Sequence, residues 1–182
     1  GPCTAKSPGC WALRVNTTTP GGAPVTALGN FPVNEQSHTP AIGSVAPASA
    51  TPTGDGVDDL GFITSSPIPD PELYRLSIHQ ALQTGKPLVV VFATPRFCLT
   101  PWCGPQVEVV SQLRERIGAR ANFVHVEVYE NPHEIEGGRP SGDIVPAVAE
   151  WGLPSEPWTF VVGEDGLVQA KFESFTTLEE IE

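Results

Sequence analysis

An α/β fold with a central mixed sheet is predicted for residues 67–182, preceded by a long Pro-rich, mostly irregular extension over residues 1–66. Two observations carry this reading. From about residue 67, apolar β-branched runs alternate with segments of helical periodicity. Before that point Pro, Thr, Ser, Ala and Gly dominate, and no helical period is visible.

The extension contains short patches only. Trp11-Ala-Leu-Arg-Val15 alternates weakly, as a short strand does. Phe31-Pro-Val33 and the run from Ile42 to Ser49 are apolar stretches between turn signals. Its composition is that of a linker, and it is expected to lie along a surface, its own or a partner's, which makes it a candidate arm for a protein partner. Asn16-Thr17-Thr18 matches the glycosylation acceptor pattern, a tripeptide common by chance.

Asp70-Pro71-Glu72 reads as a helix start: a capping aspartate, proline at the first helical position and an acid in the first turn. Tyr74, Ile78, Ala81 and Leu82 follow at helical spacing, and Gly85 with Pro87 ends the helix. Leu88 to Ala93 is continuously apolar, as expected of a strand covered on both faces. A second helix runs from Pro101 or Pro105 to Ile117 and stops at Gly118. Phe123 to Tyr129 alternates as a strand; 130–143 is a polar loop; Ile144 to Trp151 is a short helix. Trp158–Val162 and Leu167–Phe172, joined through Glu164-Asp165-Gly166, form a hairpin. A last helix begins at a Thr176 or Thr177 cap. The crossover through the second helix makes the first two strands parallel, and the hairpin adds an antiparallel edge.

The net charge of −11 argues against nucleic acid or an anionic membrane as partner, since both attract basic surfaces. No apolar run approaches the ~20 residues of a membrane span. The Gly-Pro start and the absence of methionine fit a processed or engineered terminus. The four cysteines fall in two close pairs, which fits a disulfide-permissive, extracytoplasmic compartment: periplasmic, cell-surface or secreted, with any membrane anchor in a segment outside this chain. Cys3 and Cys10 read as a structural staple, because a metal would want more ligands nearby. No metal or cofactor is expected.

Chemistry concentrates at Cys98-Leu-Thr-Pro-Trp-Cys103-Gly-Pro-Gln106, just past the apolar strand. A thiol there meets the unpaired N–H groups of a helix start, which favour the thiolate below its free pKa of ~8.5. Positions five apart on a regular helix lie ~8.6 Å apart and point ~140° away from each other, outside disulfide range. The two cysteines therefore cannot both lie on a regular helix and pair: either the helix begins after Cys98, which folds back from the incoming loop onto Cys103, or it begins near Gly104-Pro105 and both thiols lie in a loop.

These residues resemble the thioredoxin-like superfamily over roughly 70–182. The resemblance rests on Val89-Val-Val-Phe92, Trp102-Cys-Gly-Pro105, Glu156-Pro-Trp-Thr159 before a strand, and the Glu-Asp-Gly hairpin. It implies a three-layer fold and thiol–disulfide exchange on protein disulfides. Counting from the strand, Cys98 is the nucleophile and Cys103 the resolving thiol; matching letters instead, Cys103 is the nucleophile and Gln106 replaces the second cysteine. Only the first register leaves two reactive thiols. The resemblance makes Pro157 a cis proline facing the site, and Pro157 with Trp102 a substrate-binding surface. Glu156, where the family carries an uncharged residue, is a candidate proton acceptor that would also raise a nearby thiol pKa. Val91 stands where the family's buried strand acid would be.

Other readings remain. A non-catalytic interaction module, such as an accessory subunit of a membrane-associated complex, would use Cys98–Cys103 as a permanent staple. A peroxiredoxin-like peroxidase would want a threonine where Pro95 stands, with Thr94 one residue off. A copper chaperone would want a histidine ligand motif. His125 reads as a strand-surface histidine, His133 as solvated, and Trp151 and Trp158 as core.

Overall fold

The computed structural model describes residues 3, 9–137 and 142–182. The chain divides into two compact units, 1–37 and 38–182, so the second unit begins well before the composition shift near residue 66.

The first unit is a two-stranded antiparallel hairpin of β1 (Cys10–Thr18) and β2 (Pro24–Pro32), with nine paired positions. The extension is thus more regular than its composition implies. Pro20-Gly-Gly22 supplies the turn, with Gly22 at positive φ. Asn16 accepts a hydrogen bond from the Thr26 hydroxyl across the strands, at 2.9 Å. Cys3 and Cys10 are disulfide-bonded.

The second unit is α/β, built on a four-stranded mixed sheet of order β4-β3-β5-β6. Its strands are β3 (Leu88–Phe92), β4 (Asn122–Val126), β5 (Trp158–Val162) and β6 (Val168–Glu173). β3 and β4 pair in parallel, and β5 and β6 join antiparallel. All five β3 residues are buried, because both faces are covered. Leu88, Val90 and Phe92 pack with Ile78 and Ala81 of α1 (Ile78–Gln83) and with Ala147 of α3 (Pro146–Glu150). Val89 and Val91 pack with Val107, Val110 and Leu113 of α2 (Cys103–Ile117) and Ile181 of α4 (Leu178–Ile181). Trp151 and Trp158 lie in the first of these clusters, as expected of core residues. α2 stops at Gly118, whose φ of 66° suits glycine.

Two elements differ from expectation. The single helix expected over 70–85 is broken into a 3₁₀ turn (Pro71–Tyr74) and α1. Asp70 does cap the first, accepting from Glu72 N–H. Ser77 and Gln80, however, form a reciprocal capping box that starts a new helix. The strand expected over 123–129 ends at Val126, where Glu127 turns its carboxylate back onto the Val128 N–H. Part of the polar loop expected over 130–143 falls at 138–141, outside the described residues.

Residues 38–66 are packed against the sheet domain although mostly irregular. Ala46 is in the core, Val45 bridges to Leu167, and the Thr51 hydroxyl accepts from Ile78 N–H at the start of α1. Ser49 donates to Glu150 and accepts from the Trp151 indole.

Candidate functional site

β3 ends at Phe92, and its continuation turns out of the sheet through Ala93 to Phe97 before reaching Cys98. Phe97 is buried and meets Tyr129 edge-on at 6.4 Å, which fixes the loop's inner side. Cys98 follows in the loop and Cys103 opens α2 as its first residue. The two are disulfide-bonded with Cα atoms 6.1 Å apart. The late helix start, after Pro101 and before Pro105, removes Cys98 from the helix and permits the bond that a regular helix forbids.

The two sulfurs differ in environment. Cys103 is fully buried among Val91, Ala93 and Val107, whereas Cys98 is half-buried at the edge of that cluster. The Thr100 hydroxyl lies 3.3 Å from Cys98 Sγ. Leu99 is exposed, and Trp102 is partly exposed and tilted against Phe175 with ring centroids 5.6 Å apart.

The peptide between Glu156 and Pro157 is cis, and Pro157 is buried. Trp158 pairs with Phe92, so Pro157 sits at the end of the sheet from which the Cys98 loop departs. Gln106, fully buried on the first turns of α2, ties this corner together. Its amide donates to Thr159 Oγ1 at 3.1 Å and its carbonyl accepts from Thr176 N–H at 2.8 Å. The residue that one register places in the role of a second cysteine is therefore a strut between α2, β5 and the approach to α4.

Glu156 is partly buried, and burial first, then the Glu127 carboxylate, raises its pKa. Tyr129 is raised by burial and by the Glu156 and Glu127 carboxylates. Val91 is buried on β3 with no acid at its position. The buried acid of this corner is instead Glu127, just beyond β4, which accepts from Ser65 N–H at 2.8 Å and from the Ser65 hydroxyl at 2.6 Å.

His125 is not on the surface. It is buried, with Nε2 3.0 Å from Ala93 O and Nδ1 2.6 Å from Tyr74 Oη. A carbonyl can only accept, so Nε2 carries the proton and Tyr74 donates to Nδ1; Thr64, 3.0 Å from Tyr74 Oη, then donates to the phenol. Burial lowers the His125 pKa, opposed by Glu127 and the Ala93 carbonyl. This chain of bonds fixes the Ala93 carbonyl, at the point where the backbone leaves β3 for the Cys98 loop. His133 is solvent-exposed, as expected, and its ring also meets Phe62 edge-on, centroids 4.6 Å apart.

Sequence reasoning missed the contacts of Thr100, Gln106 and Glu127. Thr100 stands two residues from Cys98, a spacing that already suits a side-chain contact across a turn. Gln106 and Glu127 carry no local signal, since their partners are distant in sequence. Among the described residues no cluster of His, Cys, Asp and Glu could hold a metal ion, and no helix is long and apolar enough to cross a membrane. No protein-family model and no curated protein matches the chain.

Proposed function

We propose that this chain is a thioredoxin-like thiol–disulfide oxidoreductase of an extracytoplasmic compartment, acting on protein disulfides through Cys98 and Cys103. The observation that carries it is the unequal pair: a half-buried Cys98 bonded to a fully buried Cys103 at a helix start. Helices on both faces of the mixed sheet and a cis proline at the same sheet end support the thioredoxin-like arrangement.

In the reducing direction, the Cys98 thiolate attacks one sulfur of a substrate disulfide. A mixed disulfide forms and one substrate thiolate leaves. The Cys103 thiolate then attacks Cys98 Sγ, the second substrate thiolate leaves, and the Cys98–Cys103 disulfide remains. The substrate gains two electrons and the protein loses two; oxidation of a dithiol runs the same steps backwards. The α2 N–H groups favour the thiolate at this point. Trp102 and Pro157 are the surface for the substrate strand, and Glu156 is a proton acceptor, in keeping with its raised pKa.

The test is a redox titration of the native protein in glutathione or dithiothreitol buffers, with alkylation of free thiols. Reversible protection of two thiols supports the reading. A Cys98–Cys103 bond that resists strong reductant supports instead the second reading, a non-catalytic interaction module, which the apolar Val91 position favours.

A further inference from the structure

We infer that the apolar face of the N-terminal hairpin is a homodimer interface, covered by the same face of a second copy of this chain. The inference is independent of the redox reading. Side chains alternate along a strand, and directly paired residues share a face. Trp11, Leu13, Val15 and Thr17 of β1 pair with Phe31, Gly29, Ala27 and Val25 of β2, so these eight share one face. Its five large apolar side chains are 43–61% exposed. The opposite face carries Arg14, Asn16, Thr18, Thr26 and Asn30, with Leu28 as its one large apolar side chain.

A two-stranded hairpin is marginal alone and needs a third strand or a packed face. A contiguous apolar patch of a few hundred Å² marks an interaction site. Two such faces together approach the ~1,000 Å² that a specific interface requires.

Shape and charge favour a second copy. Trp11 and Phe31 form a ridge at the open end of the hairpin, and Gly29 leaves a notch beside it, where an added Cβ would meet nothing within 4 Å. Two hairpins stacked in opposite directions about a two-fold axis lay β2 over β2 and seat the Phe31 side of each Trp11–Phe31 ridge in the partner's Gly29 notch, a self-complementary fit. Apart from disulfide-bonded Cys10, Arg14 is the one ionisable side chain from Cys10 to Pro32, and it lies on the other face. The hairpin itself therefore brings no acidic side chain to the contact, and the chain's net charge of −11 opposes an anionic membrane as the occupant.

Sedimentation equilibrium of the full chain over a wide concentration range tests this. The expected result is a reversible dimer. Trp11→Ser weakens it at least tenfold. Gly29→Val also weakens it, by filling the notch, although it makes the face more apolar. Leu28→Ser, on the opposite face, leaves it unchanged. A chain that stays monomeric at every concentration overturns the inference, and binding of that monomer to phosphatidylcholine vesicles would assign the face to a membrane. A dimer that Trp11→Ser leaves intact, or that Gly29→Val strengthens, overturns it equally.

Discussion

The Thr100 hydroxyl sits 3.3 Å from the sulfur of Cys98, the more exposed half of the disulfide. On reduction, the same hydroxyl is placed to donate to the Cys98 thiolate. A hydrogen bond to a charged acceptor contributes roughly 1.5–3 kcal/mol when buried and less at a wet loop. Thr100→Val should therefore raise the Cys98 thiol pKa by about half a unit to one unit, and Thr100→Ser should restore it. The pH dependence of alkylation in a Cys103→Ser background reads Cys98 alone. An unchanged profile in Thr100→Val would remove the role.

The burial difference predicts an order of attack. Cys103→Ser should accumulate a mixed disulfide with a substrate or a small-molecule thiol, because Cys98 reacts and nothing resolves it. Cys98→Ser should accumulate little, since Cys103 is enclosed. Intact-mass measurement after exposure to oxidised glutathione separates them, and equal trapping by the two variants would contradict the assignment.

His125 predicts an acid sensitivity. Its folded pKa lies below the unfolded value near 6.5, so the unfolded chain binds the proton first as pH falls. Stability is then complete above about pH 6.5 and declines below it, by up to ~1.4 kcal/mol per pH unit, until the folded pKa is reached. Glu156, raised in pKa, contributes in the opposite sense at lower pH. Thermal melts from about pH 7 to about pH 5 should fall for the wild type and flatten in the double variant Tyr74→Phe/His125→Phe, which replaces both buried partners with apolar rings. Parallel slopes in the two proteins would exclude His125 as the cause.

Gln106→Leu should destabilise the fold by about 2–4 kcal/mol, because it leaves Thr159 Oγ1 and the Thr176 N–H without their buried partner. Gln106→Glu should keep an acceptor for Thr176 but lose the donor to Thr159. Urea unfolding measures both, and a loss under about 1 kcal/mol in Gln106→Leu would show that the corner repacks.

Much of the second unit is legible in the sequence because its signals are local. The apolar run at Leu88, the glycine stop at Gly118 and the Glu-Asp-Gly turn each act over a few residues, and each forms the element expected. The split at Ser77 is also local, a Ser-x-x-Gln box hidden under an apparently continuous helical period. In the hairpin only Trp11 to Val15 signals a strand, because Pro, Thr and Gly composition masks the alternation of Val25 to Phe31. The Cys98–Cys103 bond requires a helix that starts late, and the proline positions allow one. What the letters do not carry is the pairing of distant polar groups: Glu127 with Ser65, Gln106 with Thr176, His125 with Tyr74.

The bonds from Ser65 to Glu127 have a practical consequence for where this protein can be cut. A fragment beginning at residue 67 would strip a buried carboxylate of two donors, empty the place of Ala46, and take the Thr51 acceptor from the Ile78 N–H at the start of α1. The seemingly dispensable segment is in part a stabilising strap, and a shortened protein that keeps the second unit whole begins at His38 or earlier.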